Sequence, residues 1–136
     1  MNKAVFTTSD IQRFKGTSDE LESTGKLEKA ISQGYEVFVI TTRTRFKPEI
    51  DSWWQNQVSN VYTGYTGNGA TDSGMIETYK RFYRDQHIDI DQIVIGKRGC
   101  DTKEMSEYHE KFPLEDRWTS YENELRYFGF KTGKDF

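Results

Sequence analysis

The chain has 136 residues, enough for one compact domain with a real core, and a formal charge of −3 that excludes sequence-independent duplex binding through many Lys and Arg. One cysteine excludes an intrachain disulfide and a Cys-rich zinc site. No run approaches the roughly 20 apolar residues of a membrane span, and MNKAVFTTSD lacks the apolar stretch of a signal peptide, so a cytoplasmic protein is expected.

Lys3–Thr8 (KAVFTT) is β-branched and aromatic and predicts a strand. Ser9–Thr24 is polar and broken by Gly16, which reads as loop or weak helix. Lys26–Gln33 carries Leu27, Ala30 and Ile31 at helical spacing, with Gly34 placed as its C-terminal cap. Tyr35–Phe46 holds the clearest strand, since Val37–Ile40 is continuously apolar, as a strand covered on both faces requires. Pro48 suits a helix start, and Ile50, Trp53, Trp54 and Val58 predict a helix over Glu49–Val58. Two adjacent tryptophans cannot share one helix face, so one ring is expected at the surface.

Val61–Thr63 predicts a second buried strand. A run of Gly64, Gly67, Gly69 and Gly74 with hydroxyl residues follows it. Thr71 or Asp72 then caps a helix through about Gln86, with Met75, Ile76, Tyr79, Phe82 and Tyr83 on one side. Ile88–Ile95 ends in an apolar strand stopped by Gly96–Gly99. Asp101 or Thr102 caps a further helix through Phe112, which Pro113 breaks. Ser120–Phe128 reads as helix, and Gly129–Phe136 as a loose tail. Helices alternating with buried strands predict one α/β domain over residues 1–136, built on a mostly parallel central sheet.

In such a sheet ligands bind beyond the carboxyl ends of the strands. Three ends are readable: Thr41-Thr42-Arg43, the Val61–Gly74 segment, and Gly96–Cys100. Glycine lets backbone approach a ligand closely, and a Gly-rich turn at a helix N-terminus offers free N–H groups and positive dipole to an anion. Thr41, Thr42, Arg43, Thr63, Gly64, Thr66, Gly67, Asn68, Gly69, Asp72, Lys97 and Arg98 are therefore the candidate ligand residues. The arginines would neutralise phosphate. The bland alternatives are an ordinary surface loop, solvated cations at strand ends, and Asp72 as a plain helix cap. Cys100 beside Lys97 and Arg98 has a thiolate-favouring setting, but no histidine stands near it in sequence to act as base. His87 and His109 lack a second ligand at metal spacing, so both read as structural or exposed and no metal is expected. Glu122-Asn123-Glu124 matches the ExE pair of ADP-ribosyl transfer only in spelling, since its surroundings are helical.

The stretch from Thr41 through Val61–Met75 to Gly96–Met105 resembles the SLOG group of Rossmann-like nucleotide-binding domains. In that group a first strand ends in Gly-Ser-Arg and a second runs into Gly-Gly-x-x-Gly-x-Asp. Thr41-Thr42-Arg43 stands in the first place and Gly64–Asp72 in the second, with Thr41 for a glycine and Tyr65 between the paired glycines. The resemblance implies a Rossmann-like three-layer fold and recognition of nucleotides, nucleotide-derived signals or single-stranded DNA. LEKAISQGYEVFVITTRT is also similar to the helix and Thr-ending strand of haloacid-dehalogenase-type phosphatases. There the resemblance implies Thr41 or Thr42 as a phosphate-contacting hydroxyl. It also implies an Asp-x-Asp nucleophile pair after the first strand, where this chain has Thr7-Thr8-Ser9-Asp10.

Three functions follow. The first is a small module holding a nucleotide or nucleotide-derived phosphate ligand without turnover, with no cofactor identified. The second is a protein-interaction or inhibitor module, regulatory or phage-type, using exposed members of the aromatic residues that make up 15% of the chain. The third is an enzyme acting on a nucleotide or N-glycosidic bond through a carboxylate such as Asp72 or Glu77. Neither duplex nucleic acid nor a membrane is an expected partner, and a homo-oligomer is compatible with all three.

Overall fold

A computed structural model describes residues 2–18, 20–41, 53–63, 65–66, 69–70, 72–89, 94–96, 99–101 and 117–136. Of residues 41, 65–66, 69–70, 72–76, 94–96, 99–101 and 117–120 it describes the backbone alone. In chain order the elements are β1 (Lys3–Phe6), α1 (Thr8–Ile11), β2 (Gln12–Phe14), β3 (Leu21–Ser23), α2 (Lys26–Ser32), β4 (Glu36–Thr41) and β5 (Asn60–Thr63). Next come β6 (Tyr65–Thr66), β7 (Gly69–Ala70), α3 (Asp72–Asp85), β8 (Val94–Gly96), β9 (Gly99–Asp101), α4 (Arg117–Tyr127) and β10 (Lys131–Thr132).

The central sheet runs β10-β1-β4-β5, and all three pairings are parallel, as the α/β reading expects. Side chains alternate across a strand, and here the alternation feeds two buried clusters. Ala4, Phe6, Val37 and Val39 join Ile11, Leu27, Ala30 and Trp54. Val5, Phe38, Ile40 and Tyr62 join Tyr79, Phe82 and Tyr83 of α3, Tyr121 and Leu125 of α4, and Phe130. That double burial is why Val37–Ile40 carries no polar residue. The second cluster is built largely from rings: Phe82 meets Phe38 and Tyr62 edge-on at 5.5 Å, and Tyr79 stacks on Tyr121 at 4.3 Å. Aromatics therefore supply the core volume that the sparse aliphatics do not.

Helix α2 stops where Gly34 takes φ 84°, the left-handed backbone that a glycine after a helix supplies without strain. Elsewhere the structure departs from the sequence pattern. Ser9–Thr24 is more than loop or weak helix, since it also contains two paired strands. It forms the single turn α1 and an antiparallel β2–β3 hairpin in the register Arg13↔Glu22, with an Arg13–Glu22 ion pair at 3.0 Å. Its strands are three residues long, each with one apolar residue, too short to show the alternation that marks a strand.

Within the predicted helix Glu49–Val58, Trp53 and Trp54 lie in a turn and only Gln55–Gln57 form a short 3-10 helix; residues 49–52 are outside the described residues. Trp54 is buried, its indole N–H donating to Gln12 Oε1 at 3.3 Å, and Trp53 is the ring left 37% exposed. Of the predicted strand Ile88–Ile95, Val94 and Ile95 belong to β8, which pairs antiparallel with β9 and among the described residues does not join the central sheet; residues 90–93 lie outside the described residues. Asp101 ends β9, and whether it also caps a helix falls on residues outside those described. The helix predicted after it, Thr102, Cys100's side chain and Pro113 lie outside what is described.

The tail is the largest correction. Gly129–Phe136 is an integral part of the fold: β10 adds beside β1 in the register Val5↔Thr132, and Gly133–Asp135 closes a 3-10 turn. Phe130 is buried among the α3 rings, and Phe136 packs edge-on against Phe6 and Tyr35 at 5.6 and 5.1 Å. The segment KTGKDF is polar because a two-residue edge strand needs backbone pairing more than apolar side chains.

Candidate functional site

Two places gather polar side chains, one on the carboxyl rim of the sheet and one along its outer edge. The first lies at the ends of β1 and β10, where the chain builds the same device twice. The Thr7 N–H donates to Asp10 Oδ2 at 2.7 Å, and the Thr132 N–H donates to Asp135 Oδ2 at 2.7 Å. In each a threonine leaving a strand is capped by the aspartate three residues on. Around them Lys26 Nζ donates to the Gly133 carbonyl at 2.8 Å, Arg126 donates to Thr132 Oγ1 at 3.1 Å, and Lys134 pairs with Glu122 at 3.1 Å. The cavity among Thr7, Asp10, Tyr79, Glu122 and Thr132 measures about 20 Å³, room for a single water. The carboxylates here are occupied by the protein's own donors. Where the haloacid-dehalogenase resemblance would need a nucleophilic aspartate, Thr7 donates its own hydroxyl to Asp10 at 3.0 Å.

The second place is the outer edge of the sheet, where β5 has β4 as its one neighbour among the described residues. Helix α3 turns Thr78, Tyr79, Phe82 and Tyr83 into the core and leaves Glu77, Lys80, Arg81 and Arg84 on its flank. Positions 78, 81 and 85 fall on one side of the helix, one turn after another, and that side meets the end of β5. The Thr63 carbonyl accepts from Arg81 Nη2 at 2.9 Å and from Thr78 Oγ1 at 3.2 Å. The Tyr62 hydroxyl donates to Asp85 Oδ2 at 2.5 Å. Between helix and strand lies a cleft of about 330 Å³ lined by Asn60, Tyr62, Thr63, Arg81, Arg84 and Asp85, at the small end of the ligand-pocket range of roughly 300–1,000 Å³.

Its charge is unbalanced. Two guanidinium groups face one carboxylate, and that carboxylate holds the Tyr62 hydroxyl. No salt bridge to Arg81 or Arg84 occurs among the described residues. Burial of the phenol, and then its hydrogen bond to Asp85, push Tyr62 up from 10.0 to about 12. The folded pKa lies above the unfolded one, so this pair's stabilisation is complete below pH 10 and is lost as pH rises toward 12. Absorbance at the tyrosinate band should show one phenol ionising near pH 12 in the wild type and missing in Tyr62→Phe. A difference spectrum that titrates near pH 10 contradicts the arrangement.

Of the residues chosen from sequence, Thr41 and Thr63 stand opposite each other at the ends of neighbouring parallel strands. Where the sequence suggests one glycine-rich turn, Tyr65–Thr66 and Gly69–Ala70 pair as an antiparallel hairpin, so Thr66 faces Gly69 and ladder bonds engage their backbone. Asp72 opens α3, with only its backbone described. Thr42, Arg43, Gly64, Gly67, Asn68, Lys97 and Arg98 lie outside the described residues. Asn60, Tyr62, Arg81, Arg84 and Asp85 were missed. Their signal was the i, i+3, i+7 flank Thr78–Arg81–Asp85 beside the aromatic stripe. His87 is exposed just past α3, and His109 lies outside the described residues. Glu122 faces Lys134 while Glu124 is fully buried, so the ExE carboxylates diverge as on any helix.

Among the described residues no group of three His, Cys, Asp or Glu could hold a metal ion, and no helix is long and apolar enough to cross a membrane. No protein-family model matches the chain, and no curated protein or solved structure does.

Proposed function

We propose that this chain is a cytoplasmic, Rossmann-like three-layer module that binds a nucleotide or nucleotide-derived phosphate ligand without turnover, its phosphate lodged in the cleft between β5 and α3. The observation that carries the reading is Arg81: a guanidinium fixed on the carbonyl at the carboxyl end of β5, with no salt bridge among the described residues. Anchoring removes much of the entropic cost of ordering an arginine on a ligand, and its fork matches phosphate oxygens. The two buried clusters fed by alternate strand residues support the layered fold. Binding without chemistry is supported by the lining: Tyr62 stays protonated at neutral pH and Asp85 is engaged by it, so neither is poised as a base.

The competing interaction-module reading has Phe14, Trp53 and Tyr127, exposed at 52%, 37% and 49%, on three separate elements. An enzyme acting through Asp72 or Glu77 has less support, since Glu77 is exposed and pairs with Lys80.

Titration calorimetry with AMP, ATP and inorganic phosphate tests the site. Arg81→Gln keeps a donor for the Thr63 carbonyl but loses the charge. A hydrogen bond to a charged group contributes about 1.5–3 kcal/mol, so affinity should fall roughly tenfold or more. Wild-type protein that binds none of the three anions removes the proposal.

A further inference from the structure

We propose that the cleft is built for two linked anionic groups, a diphosphate or longer chain, with Arg84 as the residue that selects it over a single phosphate. This deepens the anion-site reading above and rests on it. Arg81 and Arg84 are three residues apart on α3 and line one cleft, a spacing that puts Cβ atoms about 5–6 Å apart on the same helix face. Their side chains differ in state. Arg81 is held at the strand end by the Thr63 carbonyl and the Thr78 hydroxyl. Arg84 is exposed, and its side chain makes no hydrogen bond or ion pair among the described residues.

Asp85, adjacent in sequence, does not face Arg84 on the helix, and its carboxylate accepts from the Tyr62 hydroxyl; the cleft thus holds two guanidinium groups and one carboxylate. One anion on the fixed guanidinium leaves the Arg84 fork without an acceptor among the described residues. Two linked anions satisfy both forks, the first at the anchored arginine and the second where Arg84 reaches. The neighbouring Lys80 is already paired with Glu77 at 3.4 Å and does not line the cleft.

Pyrophosphate and orthophosphate, titrated separately at constant ionic strength, are the probes. Wild-type protein is expected to favour pyrophosphate at least tenfold. Arg84→Gln should bring the two affinities within about threefold of each other while orthophosphate binding is kept. Arg84→Lys should recover part of the preference, and Lys80→Gln should leave it intact. Melting temperature should be unchanged in Arg84→Gln, since the side chain supports no packing. A wild type that binds both anions equally, or an Arg84→Gln variant that keeps the preference or loses both anions in step, overturns the role of Arg84 and leaves the anion site standing. A wild type that binds neither anion overturns both.

Discussion

A chain ending at residue 128 is expected to lose its cooperative melting transition. The removed segment supplies β10, and with it one edge of the central sheet, where Ala4 and Val5 pair with Lys131 and Thr132. It supplies Phe130, which is buried and lies 5.1 Å from Phe82, the fully buried ring that also meets Phe38 and Tyr62. It supplies Phe136, which covers Phe6 and Tyr35 on the other face. Removing one buried Phe side chain costs about 3–5 kcal/mol, and a whole domain is stable by only about 5–15 kcal/mol. Loss of one buried ring, one partly buried ring and an edge strand together therefore exceeds what the fold can absorb. Circular dichroism during heating measures it. A truncated chain that still melts sharply within a few degrees of the full chain would return the tail to the loose segment its composition suggests.

That composition misleads for a physical reason. Sequence patterns report how a segment meets water, and β1 and β4 are legible because Ala4–Phe6 and Val37–Ile40 are apolar on both faces, whereas in β5 only Val61 and Tyr62 carry that signal. Helix α2 is legible from Leu27 and Ala30, and α3 from Tyr79, Phe82 and Tyr83, all turned to the core. An element held chiefly by backbone pairing has no such signature. Lys131–Thr132 and Gln12–Phe14 are strands because a neighbour offers a ladder, and a charged side chain on an edge is no obstacle to that. Trp54 shows the converse: its pattern reads as helix, yet the ring is buried out of any helix by its bond to Gln12, 42 residues away.

The site was less legible than the fold. Glycines and hydroxyls drew attention to the loop after β5, where backbone is permissive, whereas the charge that lacks a counter-ion sits on the rigid helix that follows. Arg81 and Arg84 look in sequence like the solvated flank of an amphipathic helix. Only the packing of α3 against the end of β5 gives them a carbonyl anchor and a cleft. Composition reports that acidic residues outnumber basic ones over the chain. It does not report that two arginines share one cleft with a single carboxylate among the described residues.

Gly133→Ala should destabilise the fold by about 1–3 kcal/mol, the cost of overpacking a filled site, although the added group is one methyl. A Cβ on Gly133 would overlap the carboxyl group of Asp10. Asp10 has little freedom to yield, because its Oδ2 accepts from both the N–H and the hydroxyl of Thr7. Turning the carboxylate away breaks both bonds and opens the end of β1. Moving Gly133 instead disturbs the Lys26 bond to its carbonyl and the Thr132–Asp135 cap.

Glycine here is a matter of space alone, since φ at Gly133 is not among the positive values. Asp10→Ala separates the two costs. By itself it should lose about 0.5–2 kcal/mol as a cap is removed. In that background the overlap is gone, so adding Gly133→Ala should cost a few tenths of a kcal/mol. The double mutant then falls short of the sum of the singles by roughly 1 kcal/mol or more, the sign of residues in direct contact. Denaturant unfolding of the four proteins measures the coupling. Strict additivity would mean that the two strand ends do not meet through Asp10 and Gly133.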